Sequence, residues 1–215
     1  MTQSVTKEYV MTDSFRELWR RFTEAERNEA GAMLEFYVAQ FQDAAATFPD
    51  NPMGLAVGIY EALDREIHAH QQRNTRADEI TCRKGCSYCC EVHVGITPQE
   101  GVLLRAYAKE QGLSVDEALL ARQAEATPRT WKELPLVDQR CVFLQANGTC
   151  GVYEYRPLAC RKYFVISEPI LCRTASHSWR WVAAHAEIIA TAAYTVFGMG
   201  GLAATLMHQG QKDLT

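Results

Sequence analysis

The chain has no cysteine before Cys82 and none after Cys172. Both arms must therefore fold without covalent staples, and a hydrophobic fraction of 47% in 215 residues is enough for a buried core. Excess positive charge is also missing. A net charge of -4 and a pI near 5.9 give no electrostatic basis for nucleic acid or an anionic membrane as partner. The first residues, Met1 to Glu8, lack the basic start and apolar core of a secretory signal, so a cytoplasmic location is expected. A long unbroken apolar run is absent too. The most apolar stretch, Trp181 to Met207, is interrupted by His185, Glu187 and three glycines, so it reads as buried helix, not as a span of about 20 residues. No nucleotide-binding glycine loop or nucleophile elbow occurs, and Gly198, Gly200 and Gly201 stand too isolated to count as one. Repeats and low-complexity segments are missing as well.

What is present is a concentration of thiols. Cys82, Cys86, Cys89 and Cys90 fall within nine residues, and Cys141, Cys150, Cys160 and Cys172 follow at wider steps. An even count raises the question of disulfides, but those need an oxidising compartment. Metal ligation is the favoured reading. Thiolates are soft anionic donors that suit zinc, iron and iron–sulfur clusters. Steps of two or three residues let the chain curl so that successive sulfurs face one centre, and Gly85 supplies a position that tolerates positive φ. Adjacent Cys89 and Cys90 diverge, so one of them faces a second centre or stays a free thiol. Four plus four cysteines fit two four-sulfur sites, or one cluster with thiols to spare.

Around this block the sequence reads as helices. Thr23 and Glu26 form a capping box ahead of Met33, Phe36, Tyr37, Ala39, Phe41 and Ala44. Asn51 and Pro52 open a second helix on the pattern Leu55, Ile59, Leu63, Ile67, running to about Thr75 and making a helical hairpin with the first. Thr97, Pro98 and Glu100 start another helix that Gly112 ends, and Ser114 with Glu117 opens the next. Asn147-Gly148 between Cys141 and Cys150 signals a short β-hairpin. A final helix is expected from near Ser178. The expected fold is mainly α: an N-terminal helical arm over 1–78, a cysteine-rich metal core over 79–176 and a C-terminal helix over 177–215, together one compact domain.

The ordered series Cys86, Cys89, Cys90, Thr97, Glu100, Cys141, Asn147, Gly148, Cys150, Arg156, Pro157, Cys160, Arg161 and Cys172 resembles the YkgJ-like CxxCxxCC cysteine-cluster family of zinc- or iron-chelating domains, over roughly residues 78 to 175. One extra residue before Cys86 departs from the family spacing and bears on the role of Cys82. The resemblance implies bound iron, supposed to be an iron–sulfur cluster, or bound zinc. One relative resembles a flagellin lysine methylase, which implies an enzymatic role by analogy alone.

All eight cysteines are thus the expected ligands: Cys82, Cys86, Cys89, Cys90, Cys141, Cys150, Cys160 and Cys172. An iron–sulfur cluster of the 4Fe-4S kind is favoured over zinc, because paired C-x2-C knuckles are missing. Arg156 and Arg161, with Lys162, are candidates to offset the cluster's negative charge and bond its sulfurs, against a solvated basic loop as the plainer alternative. His93 and His177 are weaker nitrogen donors, each more ordinarily a surface or satisfied core histidine. Glu35, Glu61, Asp64 and His68 hold a fragment of a di-iron pattern, outweighed by a solvated helix face. Trp179 and Trp181 read as core or rim aromatics. The three-cysteine spacing of radical S-adenosylmethionine enzymes is present, but helices precede it and the chain is short for that barrel. Metal storage or delivery is permitted and unspecified, and a protein partner is left open.

Overall fold

The computed structural model describes residues 8–83, 85–174 and 180–212. The chain is mainly helical. Eight α-helices occur among the described residues: α1 Asp13–Arg21, α2 Glu24–Thr47, α3 Pro52–Arg73, α4 Pro98–Glu110, α5 Glu117–Ala124, α6 Leu158–Arg161, α7 Ala184–Phe197 and α8 Leu202–Lys212. The strands are two residues each. β1 Gly95–Ile96 pairs antiparallel with β4 Gly200–Gly201, and β2 Phe164–Val165 with β3 Arg180–Trp181.

Caps explain the helix starts. Thr12 accepts from Phe15 N to open α1, a helix the sequence reading did not single out. Thr23 and Glu26 close the expected capping box on α2, and Asn51 with Pro52 opens α3. The N-cap of α5 is Asp116, which accepts from Leu119 N, not Ser114 as expected. On α2 the buried stripe is Ala30, Leu34, Val38 and Phe41, one step around from the expected face; Phe36 is 57% exposed. On α3 the expected Ile59, Leu63 and Ile67 are buried.

The C-terminal arm is two helices and not one. Its predicted start near Ser178 lies outside the described residues, and β3 precedes α7. α7 is buried from Ala186 to Tyr194 on every side, as a helix apolar all round must be. It packs against α1, α2 and α3, so the N-terminal arms share a central helix drawn from the other end of the chain. Gly198, at φ 80°, caps α7 and reverses the chain. α8 then packs on α4 and α5.

Two apolar cores result. One centres on α7 with Leu34, Leu63, Leu158 and Trp181. The other gathers Ile96, Leu104, Leu120, Phe143, Val152 and Leu206. The cysteine-bearing segments, short turns for the most part, draw on both cores: Leu158 packs in the first, and Val142, Phe143 and Val152 in the second.

Candidate metal centre

Four separate stretches of chain bring the thiols together, and each is fixed locally. In the first, Gly85 takes φ 91°, Cys86 N bonds Arg83 O at 3.0 Å and Cys90 N bonds Ser87 O at 2.9 Å. These turns wind the chain into the 3-10 segment Tyr88–Glu91, which carries Cys89 and Cys90. Upstream, Cys82 Sγ accepts the Val165 amide at 3.3 Å. That tie holds the cysteine whose spacing departs from the family pattern.

The second stretch is the hairpin. Leu144 and Cys150 form a single antiparallel bridge, and Gly148 at φ 78° makes the turn with Asn147 Oδ1 accepting Thr149 N at 3.0 Å. Cys141 N bonds Cys90 O at 2.7 Å, so the backbone itself joins the two halves of the cysteine set. The backbone at Phe143 favours the ionised form of Cys141 and that at Val152 the ionised form of Cys150, each two residues on.

Cys160 rides on α6, the third stretch. The first amide of that helix, Leu158 N, donates to Glu100 Oε1 at 2.7 Å. Glu100 is fully buried, accepts Thr97 N at 2.7 Å and Tyr60 Oη at 3.1 Å, and has its pKa raised by burial. The cap residue of one helix is therefore the anchor of another.

Cys172 lies on the fourth stretch, the 3-10 segment Pro169–Thr174, which packs on Tyr88–Glu91 and is pinned by Arg173 to Glu91 at 2.8 Å.

Seven of the eight cysteines, all but Cys172, line one cavity of about 300 Å³. Cys172 is itself buried, and it feels the charge of Cys89, Cys82 and Cys86. All eight are free thiols. Among the described residues, no three His, Cys, Asp or Glu side chains are gathered tightly enough for one metal ion.

The field at these sulfurs is consistent with that arrangement. Burial pushes Cys141 up to about 12 and Cys172 to about 11, and raises Cys82, Cys150 and Cys160. Cys89 is raised by its hydrogen bond with Cys90 and by burial. Cys160 feels Cys89, Cys141 and Cys150, whereas Cys82 feels Cys86 and Cys89. Cys89 is common to both neighbourhoods. Opposing all this is Arg156, whose positive charge lowers Cys82, Cys89 and Cys150 while its guanidinium lies 4.3 Å from the Tyr153 ring centroid.

The other expected residues divide. Arg156 lines the cavity, but Arg161 is not among its lining residues. Arg161 Nη1 pairs with Asp64 Oδ2 at 2.6 Å, its guanidinium lies over Tyr60, and it donates to the Glu154 carbonyl. Lys162 is buried against Glu187, with Nζ 2.7 and 2.8 Å from the two carboxylate oxygens. Thr12 and Ser14 donate to the same carboxylate at 2.8 Å, and Arg180 stands 3.8 Å away. A buried glutamate inside the most apolar helix was visible in the sequence only as an interruption. His93 lines the cavity, and His177 and Trp179 lie outside the described residues. Glu35, Glu61, Asp64 and His68 are exposed on α2 and α3, the solvated face expected of them. Trp181 is a core aromatic, edge-on to Phe164 at 5.6 Å. No helix among the described residues is long and apolar enough to cross a membrane.

No curated protein and no solved structure matches the chain. A family model does match, over residues 81–184, described as "CxxCxxCC: Putative zinc- or iron-chelating domain". That segment contains all eight cysteines, the capping pair Thr97 and Glu100, and Arg156. Residues 81–184 are thus similar to a family of zinc- or iron-chelating domains, and the clustered cysteines all lie within the matched stretch.

Proposed function

We propose that the thiol-lined cavity holds an iron–sulfur cluster, with a redox or catalytic role, in a chain that works in the reducing cytoplasm. The observation that carries this reading is that thiols from separate stretches of chain line one shared cavity. A polynuclear cluster is bound by sulfurs spread around its edges, whereas a structural zinc ion draws four donors to one point.

The donor set fits such a group. Soft sulfurs predominate, the Val165 amide donates to Cys82, the nearby backbone favours ionised Cys141 and Cys150, and Arg156 supplies a counter-charge. Cys89, Cys141, Cys150 and Cys160, which share one electrostatic neighbourhood, are the proposed ligands of a first centre. Cys82, Cys86, Cys90 and Cys172 are the proposed ligands of a second centre or a reserve. An iron–sulfur cluster would supply one-electron transfer or an open iron for substrate. The residues of this chain would set its potential, through the backbone near these sulfurs and Arg156, and limit water by the apolar walls around it.

Zinc is the second reading, supported by the family description, which names zinc beside iron. It would make the site structural, with the helices free to bind a partner or hand on metal. The deciding experiment is elemental analysis of anaerobically purified protein with acid-labile sulfide. Iron and sulfide in equal amounts, visible colour and a paramagnetic signal on reduction are expected. Colourless protein with stoichiometric zinc and no sulfide would overturn the iron–sulfur reading.

A further inference from the structure

Part of the cavity is not made of sulfur. Val94, Trp131, Phe143, Leu202 and Ala203 line it alongside the cysteines, and so does one histidine, His93. That histidine is held on several sides. Its ring meets Trp131 edge-on at 5.4 Å, and Trp131 is itself fixed by Nε1 donating to Glu91 O at 2.9 Å. The Ala126 backbone lies near enough to act on the imidazole. Gly201 completes the cradle: a Cβ there would come within 2.9 Å of His93 Nε2, so only glycine leaves the ring its place. The glycine run at 198–201, which carries no nucleotide motif, thus has a use at this site.

A neutral imidazole carries its proton on one ring nitrogen and keeps the other as an acceptor. Burial lowers the pKa of His93, in keeping with the neutral form. An acceptor set in an apolar wall selects an occupant with a donor and a hydrophobic body. The cavity opens to solvent, because Thr127, Pro128 and Ala204 line it and are exposed. The whole cavity, thiols included, measures about 300 Å³, and this part of it is asked to hold no more than one ring.

We propose that this compartment binds a small, largely apolar organic molecule carrying one hydroxyl or amine, its donor on His93 and its body against Trp131, Val94 and Leu202. The site goes beyond the metal reading and does not need it, since none of these side chains is a proposed ligand.

The test uses phenol and anisole as probes on the full chain, by ligand-observed nuclear magnetic resonance, with iron and zinc measured in each sample. Phenol binds saturably, and anisole, which cannot donate, binds about five- to tenfold more weakly. His93→Ala brings phenol down to the level of anisole and leaves anisole unchanged. Ala204→Trp, at an exposed position that spares the core, blocks both probes. Saturable binding of neither probe, equal binding of the two, or phenol binding that Ala204→Trp leaves intact would overturn the proposal. Metal content separates the two readings. A metal-replete chain that ignores phenol sinks this site alone, and a chain that binds phenol without ever carrying metal sinks the metal centre alone.

Discussion

Glu100 Oε1 accepts the Leu158 amide at 2.7 Å across 58 residues of sequence. Leu158 opens α6, the four-residue helix that carries Cys160, and Glu100 closes the capping box of α4. The same carboxylate accepts the hydroxyl of Tyr60 from α3. One buried carboxylate therefore ties three helices and sets the position of a thiol it does not touch. A helix as short as α6 has little stability of its own, so its place depends on such ties.

Glu100→Gln tests that tie. The amide keeps one acceptor oxygen but turns an NH₂ group toward either the Thr97 amide or the pair Tyr60 and Leu158. A loss of about 2 kcal/mol is expected from urea denaturation, with a fall in metal per chain. A variant as stable as the parent, with full metal content, would show that Cys160 is placed by packing alone.

The Lys162–Glu187 pair is a second structural tie, and removing one partner is the costly change. Burial opposes both charges and lowers Lys162, while Lys162, Arg180 and Ser14 hold Glu187 ionised below its ordinary range. Lys162→Met leaves that carboxylate without its main partner and costs about 3–5 kcal/mol. The double variant Lys162→Met with Glu187→Leu restores most of the loss. Equal melting curves for single and double variants would contradict the pairing.

Metal binding carries a definite pH dependence. Cys82, Cys89, Cys141, Cys150, Cys160 and Cys172 all have pKa values raised above that of a free thiol, so without metal they are protonated at neutral pH. Each ligating thiol must give up its proton. Affinity therefore rises with pH, by about tenfold per unit for each thiol that ligates, and metal is released as pH falls. Proton release on zinc titration, followed in weak buffer, counts the ligands directly. Uptake without proton release would mean that the thiols are not the donors.

Arg156→Leu removes the positive charge that lowers Cys82, Cys89 and Cys150. The acid midpoint of metal release is expected to move up by about one pH unit, and Arg156→Lys to restore much of the shift. If a cluster is bound, its reduction potential falls with the lost charge. An unchanged midpoint would make Arg156 a partner of Tyr153 and nothing more. Arg161 serves as the control, since its charge is taken by Asp64.

Several features were legible because they are local. Capping boxes at Thr23–Glu26 and Thr97–Glu100, the Asn51-Pro52 start and the Asn147-Gly148 turn depend on residues within four positions of one another. The cysteine spacing was legible for the same reason. The single C-terminal helix was misread because hydrophobicity continues through Val196 to Met207, while the break lies in backbone geometry at Gly198. Which face of α2 is buried was not legible, because α7, the partner that selects it, comes from the far end of the chain.

By itself the sequence determined the helical class, the starts of α2, α3 and α4 and the chemistry of a thiol-rich centre, all of which follow from residue type and short-range spacing. Tertiary structure alone decided which sulfurs share a space, that Arg156 and not Arg161 faces them, and that His93 sits in the same cavity. Those outcomes depend on long-range packing around α7 and on buried ties such as Glu100 to Leu158. Partners 58 or more residues apart leave no periodic trace along the chain.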